Sequence, residues 1–271
     1  MAKEKGVLGE NKKISDGWWR RFIQQQPQLS LRKGDSTAAV QLAATNPETV
    51  KSYFDLLGKV LQENNLLEKP AQLYNMDETG MPIERRAPNI VAKKGKKKVR
   101  YRSAGNKSQI TVVGCVNATG NAIPPMVISD AKTFNTDWST GEVPDTFYGL
   151  SPKGWMDQEL FKCWLSSYFS MHAVSVRPLL LLLDGHSSHY RPDTIEFVRQ
   201  HDIIMFYLPP HTTQECQPLN VSVYRPLKMN WSDVCHEFLQ KYPGRVVTKL
   251  DFSELLANAW SRTMTPSNIA N

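Results

Sequence analysis

A chain of 271 residues, 41% of them hydrophobic, can bury one substantial core and leaves room for a small appended unit. No apolar run approaches the roughly 20 residues that cross a bilayer, and Met1-Ala2-Lys3-Glu4-Lys5 leads into no apolar signal segment, which argues against a membrane-embedded or secreted protein. A net charge of +7 favours a polyanionic partner, and four widely spaced cysteines without a CxxC pair suggest neither a disulfide framework nor a zinc knuckle.

The first predicted element is a helix over residues 15 to 26. Ser15 or Asp16 would cap it, Pro27 would end it, and Trp18, Trp19, Phe22 and Ile23 recur at helical spacing. That aromatic stripe suits packing inside a small helical unit or contact with bases, and Arg20, Arg21, Arg32 and Lys33 around it are placed to touch phosphates. Residues 34 to 46 read as a linker. Pro47 to Asn64 then predict an amphipathic helix with Val50, Tyr53, Phe54, Leu57, Val60 and Leu61 on its apolar face.

A second unit starts near residue 70. Strands are predicted at Gln72 to Met76, Ile110 to Ala118, Ala122 to Ser129, Leu179 to Leu183 and Ile203 to Tyr207, and helices at Gln158 to His172, Pro192 to His201 and Val221 to Gln240. The turn cluster Asn117-Ala118-Thr119-Gly120-Asn121 makes the second and third strands a hairpin. A hairpin followed by alternating helices and strands implies an α/β fold, a mixed five-stranded sheet covered on both faces, with the run Leu179-Leu180-Leu181-Leu182-Leu183 as a buried strand. The expected units are residues 1–33, a linker and helix over 34–69, and the sheet domain over 70–271.

Three positions carry the candidate chemistry. Asp77 lies in Tyr74-Asn75-Met76-Asp77-Glu78-Thr79-Gly80, Asp184 closes the leucine run, and Asn220 lies in Gln217-Pro218-Leu219-Asn220-Val221. Two carboxylates at strand ends can hold a divalent cation. Each also has a structural reading, Asp77 capping a turn with Thr79 and Gly80, and Asp184-Gly185 ending a strand. His186 and His189, three apart beside Asp184, leave room for a single-metal hydrolytic or zinc site, although no other Cys or His stands at ligand spacing to complete it.

The sharpest charge feature is Lys93-Lys94-Gly95-Lys96-Lys97-Lys98-Val99-Arg100-Tyr101-Arg102, with Lys107 just beyond. Lysines and arginines at this density neutralise phosphates without reading base edges, and Tyr101 offers a stacking face. The run also reads as a nuclear localisation patch, which places the protein in the nucleus; a solvated loop without a dedicated role is the alternative.

The segments around Asp77, Gly154-Trp155-Met156, Leu183-Asp184-Gly185-His186-Ser187-Ser188-His189, Leu208-Pro209-Pro210-His211-Thr212-Thr213 and Gln217-Pro218-Leu219 resemble, in order, the catalytic domain of pogo and Tigger type transposases, the DDE superfamily that includes CENP-B-like proteins. The resemblance covers roughly residues 70 to 269. Trp18 to Arg32 resembles the end of the second helix-turn-helix of the CENP-B-type DNA-binding region, so 1–33 is expected to be a remnant of that module, and the chain is expected to be truncated at both ends relative to the family. The resemblance implies an RNase H-like fold in which three acidic residues converge to bind two Mg²⁺ ions. In-line displacement at a phosphodiester develops charge on the attacking and the leaving oxygen, and two metals about 3.5–4 Å apart stabilise both.

By position, Asp77 would be the bridging ligand, Asp184 the second, and Asn220 would stand at the third-ligand position. An amide oxygen can ligate Mg²⁺ but brings no charge, so Mg²⁺ or Mn²⁺ is expected to bind weakly and cleavage to be impaired. Glu215 is the nearest acid that would compensate, but the resemblance places it off the ligand position. His211, Thr212 and Thr213 would lie near the site, to position a phosphate or only to stabilise their loop.

Two function classes follow. One is a transposable-element-derived DDE domain that binds DNA with impaired strand cleavage and transfer; the other is an active Mg-dependent endonuclease or transposase. A third is a dimerising scaffold, with helices around Trp231, Phe238 and Trp260 mediating assembly. The expected partners are DNA and, as an open option, a second copy of the chain.

Overall fold

The computed structural model describes residues 16–26, 46–83, 109–189 and 191–270. The chain divides into two compact units, 1–38 and 39–271. In the first, the described element is helix α1 (Asp16–Gln25), where Trp18 stacks on Phe22 with ring centroids 5.2 Å apart.

The second unit opens with α2 (Pro47–Glu63). Asn46 caps it by accepting the Glu48 N–H at 3.0 Å, and Pro47 occupies the first turn, where a missing N–H costs nothing. Of its predicted apolar face, Tyr53 is buried and Leu57, Val60 and Leu61 pack on Leu180, Phe206 and Leu208, so this helix belongs to the sheet's own core. Phe54 instead stands 52% exposed; although four positions after Val50 and three before Leu57, it lies at the edge of the stripe centred on Tyr53, Leu57, Val60 and Leu61.

The sheet has six strands in the order β4-β3-β2-β1-β5-β6: β1 (Leu73–Pro82), β2 (Gln109–Asn117), β3 (Ala122–Ser129), β4 (Phe147–Leu150), β5 (Leu179–Leu183) and β6 (Ile203–Tyr207). β1, β2 and β3 run antiparallel, while β4, β5 and β6 add in parallel to their neighbours, so the sheet is mixed. The sixth strand, β4, corrects the expected five. It is only four residues long and contains Gly149, too short to show an alternating pattern. The β2–β3 register slips between Val113 and Cys115, opposite Pro124 and Pro125, which have no N–H to give the ladder.

Helices cover both faces. On one face lie α3 (Gln158–Cys163), a π-helical stretch Trp164–Phe169, α4 (Ser170–His172) and α5 (Pro192–Gln200), whose Phe161, Trp164, Phe169 and Val198 pack on Met76, Val113, Met126 and Leu181. Then come α6 (Thr213–Cys216), a π-helical turn Leu219–Val223, α7 (Tyr224–Lys241), α8 (Phe252–Thr263) and α9 (Pro266–Ile269). α7 and α8 close the other face with Leu227, Trp231, Phe252 and Trp260 against Met81, Ile110 and Val112. Trp231 and Trp260 are therefore core, and Phe238 packs partly buried beside them, which removes these aromatics as an assembly surface.

Candidate active site

Alternation along β1 sorts its acids onto opposite faces. Asn75 and Asp77 point toward α7, while Met76 and Glu78 point toward α3 and α5. The sheet also explains why Asp77 is not at a strand end. β1 continues five residues past it because β2 pairs with β1 as far as Pro82 opposite Gln109, so Asp77 sits mid-strand opposite Gly114, and the turn-capping reading with Thr79 and Gly80 fails. On its other side β1 has already lost its partner: the last β1–β5 pair is Asn75 with Leu182, and Asp77 and Asp184 each lie two residues further on. The parallel register thus brings the two aspartates level, just beyond the end of β5.

A buried amide clasp brings in the third position. Asn75 Nδ2 donates to Gln217 Oε1 at 2.6 Å and to the Leu182 carbonyl at 3.1 Å, and Asn75 Oδ1 accepts the Leu219 N–H at 3.0 Å. Gln217 Nε2 donates to the Met76 carbonyl at 3.2 Å. These bonds tie β1, β5 and the entry of the π-helical turn together, and three residues after Gln217 the Asn220 Nδ2 donates to Asp77 Oδ2 at 2.9 Å. One turn on, the buried Tyr224 hydroxyl donates to the Asp77 carbonyl and accepts the Gly114 N–H at 3.2 Å. A Cβ at Gly114 would stand 3.0 Å from that hydroxyl, so a side chain there would press the Tyr224 ring back by a few tenths of an ångström.

Asp184 is held differently. Its Oδ1 accepts the His186 N–H at 3.1 Å in an Asx turn, and His189 Nδ1 lies 3.1 Å from its carbonyl and 3.3 Å from Oδ1. His189 is 1% exposed, packs on Phe161 and presents Nε2 to Glu78 Oε1 at 3.5 Å, an ion contact with both atoms otherwise lacking a hydrogen-bond partner. His189 therefore bridges the two faces' acids. Burial alone would lower its pKa, but contact with Glu78 and then Asp184 outweighs that, and the net shift is upward. Asp77 is pushed up to about 7, first by burial and then by the neighbouring Glu78 and Asp184 charges, which outweigh the hydrogen bonds that favour its ionised form.

Among the described residues no group of three or more His, Cys, Asp or Glu stands at metal-holding geometry, so the zinc alternative built on His186 and His189 finds no ligand set; His186 Nδ1 is instead 2.9 Å from Ser188 Oγ. The Glu215 side chain lies outside the described residues. Thr212 is buried and donates to the Pro209 carbonyl at 2.7 Å, so it stabilises its loop, and His211 takes a left-handed φ of 64° on the exposed side of that loop. The basic run Lys93, Lys94, Lys96, Lys97, Lys98, Arg100 and Arg102, with Lys107, lies outside the described residues. Arg20 and Arg21 are exposed on α1, where Arg21 Nε donates to the Gly17 carbonyl at 3.3 Å. The residues not singled out from the sequence are Asn75, Gln217, Tyr224 and His189 as bridge. The signal for Asn75 and Gln217 was their place inside the two motifs that carry Asp77 and Asn220.

A six-stranded mixed sheet flanked by helices, with two aspartates level on β1 and just past the end of the parallel β5, defines an RNase H-like domain of the transposase type. A family model described as DDE superfamily endonuclease matches residues 107–271, and the chain belongs to that family. It is 28% identical over 210 residues to "MFS-type transporter clz9" of Cochliobolus lunatus, covering 73% of this chain and 22% of that protein. It is 28% identical over 234 residues to human "Pogo transposable element with KRAB domain" (84% of this chain, 37% of that protein). It is 24% identical over 279 residues to the Schizosaccharomyces pombe "CENP-B homolog protein 2" (95% and 50%). The chain thus spans half or less of the length of these curated relatives. Among the described residues no helix is long and apolar enough to cross a membrane.

Among solved structures the fold is similar to the Mos1 transposase paired-end complex with left transposon end, with TM-score 0.54, 8% identity and coverage of 95% of this chain and 73% of that one. It is also similar to the Mos1 strand transfer complex, with TM-score 0.53, 10% identity, and 98% and 77% coverage.

Proposed function

We propose that this chain is a DNA-binding domain of transposase descent, acting in the nucleus, in which metal-dependent strand cleavage is impaired by Asn220. The observation that carries this reading is the 2.9 Å hydrogen bond from Asn220 Nδ2 to Asp77 Oδ2. A carboxylate at 220 would add a negative charge to a shared cation site; the amide instead turns an N–H toward Asp77, occupies one of its lone pairs and adds no charge.

The chemistry of the donor set fits a hard divalent cation at two positions. Asp77 is buried, and Glu78 and Asp184 make its ionised form less favourable rather than neutralising it, so a cation held by Asp77 and Asp184 would relieve that repulsion. Mg²⁺ or Mn²⁺, when bound, would polarise a phosphodiester and stabilise charge on its oxygens. The chain's own residues do the placing: Asn75 and Gln217 fix β1 against the turn that carries Asn220, and His189 holds the Asp184 loop. DNA as partner is supported by the net charge of +7 and by the basic run at 93–102, which also supports nuclear import.

A second reading, an active Mg-dependent DDE endonuclease or transposase, is favoured by the level placement of Asp77 and Asp184 past the Asn75–Leu182 pair. Calorimetry with Mg²⁺ and Mn²⁺ on the wild type and Asn220→Asp, beside a plasmid-nicking assay, separates the two. The first reading expects tenfold or tighter metal binding, about 1.4 kcal/mol, and nicking only in Asn220→Asp. Wild-type nicking that is lost in Asp184→Asn overturns it in favour of the second.

A further inference from the structure

A polar and basic face of α7 begins at the candidate site and runs away from it. Asn220, Tyr224, Lys228 and Ser232 recur at steps of four, and Arg225 and Met229 form a second row beside them. Together these six residues line one open surface concavity of 420 Å³. Its floor at one end is Asn220, the residue bonded to Asp77, so the concavity leads away from the two aspartates along the helix.

Its two cations, like the exposed Lys153 and Arg199, hold no carboxylate among the described residues and are open to a ligand. Arg191, Arg245, Lys249 and Arg262 each hold a carboxylate of the protein. Among the described residues neither Arg225 nor Lys228 is in an ion pair, although both are exposed and free to reach one. Packing around the Lys228 stem lowers its pKa, and the Asp77 charge works against that, so its ammonium lies within electrostatic reach of the candidate site. Met229 on α7 and Val221 on the π-helical turn before it, 60% and 55% exposed, add apolar surface beside the cations, of the kind that a sugar or a base face can cover. Two unpaired cations and an apolar side chain along a groove that ends at an acidic site match a nucleic-acid strand: its phosphates need counter-charge, and its sugars and bases offer apolar area.

We propose that this concavity seats the phosphodiester backbone of one DNA strand, with Arg225 and Lys228 neutralising neighbouring phosphates and guiding the strand to the Asp77–Asp184 site. The proposal rests on the DNA-binding reading above and adds where the strand runs. It needs no base contact, so binding through this groove is independent of sequence.

The test is the salt dependence of binding to a fluorescently labelled DNA oligonucleotide, measured by anisotropy for the wild type and the double variant Arg225→Gln/Lys228→Gln. Each phosphate left without its cation should reduce the slope of log K against log salt by about 0.7 to 0.9, so the double variant should be shallower by about 1.5. Arg225→Lys/Lys228→Arg should keep the wild-type slope, and Arg262→Gln, whose guanidinium already holds Glu237, should leave it unchanged. Met229→Asp, at a 60% exposed position that tolerates a polar side chain, should weaken binding with both cations in place. Far-UV circular dichroism confirms that each variant is folded. A wild-type slope in both the double variant and Met229→Asp overturns the groove while leaving DNA binding elsewhere on the chain; failure of the wild type to bind DNA at any salt overturns the groove and the DNA-binding reading together.

Discussion

Asp77 and Asp184 stand level just past the end of β5, yet they are built by different means. Asp77 is a strand residue, 5% exposed, with β2 continuing past it and Tyr224 and Asn220 bonded to it from α7 and the turn before it. Asp184 is a turn residue with a side chain 27% exposed, held by contacts within five residues of itself, the His186 N–H and the His189 ring. Long-range packing therefore sets the first acid and local turn chemistry the second. The difference in burial has an energetic consequence, because only an acid enclosed by the sheet and helices bears the full cost of its own charge.

The largest expected effect follows from that cost. Asp77 is raised from its ordinary 3.8 to about 7, so between these values the native state holds a proton that the unfolded chain has released. Stability from this group is fully present below about pH 4 and is lost as the pH rises through 7. The loss is on the order of 4 kcal/mol at 1.36 kcal/mol per unit. Asp77→Asn cannot ionise and should be more stable than the wild type by that order at pH 8, with the gap closing toward pH 4. Urea unfolding at several pH values measures it, and parallel curves for the two proteins would show that Asp77 carries no such penalty. Excess Mg²⁺ should narrow the gap by stabilising the wild type alone.

Tyr224→Phe tests the same half of the site through its hydrogen bonds. Removing the hydroxyl leaves the Asp77 carbonyl and the Gly114 N–H without that partner in a buried setting, at a cost of about 1–3 kcal/mol. Denaturation at pH 5, where Asp77 is protonated in both proteins, reads this cost apart from the titration. A change within a few tenths of a kcal/mol would mean that the ladder bonds between β1 and β2 satisfy those groups alone.

The contrast between the two acids also marks what was legible in the sequence. β3, β5 and β6 are predicted to the residue because continuous or β-branched apolar runs end at clear turn signals. β1 runs on past its predicted end at Met76 to Pro82, since Asp77, Glu78, Thr79 and Gly80 resemble a turn locally and only pairing with β2 holds them extended. The helix predicted at Val221 instead begins as a π-helical turn at Leu219, tied down by the buried Asn75 side chain from 144 positions earlier in the chain. Asp77, Asp184 and Asn220 are legible by motif. What joins them, the Asn75–Gln217 clasp and the reach of His189 from Asp184 to Glu78, depends on contacts across the sheet that no local pattern encodes.

The smallest effect concerns that bridge. His189 is also raised, by Glu78 and Asp184 against burial, so its contribution is fully present below its ordinary 6.5 and fades as the pH rises through its native value. In the wild type this overlaps the Asp77 titration and runs in the same direction. An Asp77→Asn background separates the two, because the groups that raise His189 are Glu78 and Asp184 and both remain. That variant should still lose some stability between pH 6 and pH 8, and Asp77→Asn/His189→Gln should be flat over the same range. A flat profile already in Asp77→Asn would mean that His189 stays neutral in the folded protein, so that it orients the Asp184 loop by hydrogen bonding and ring packing, without a charge.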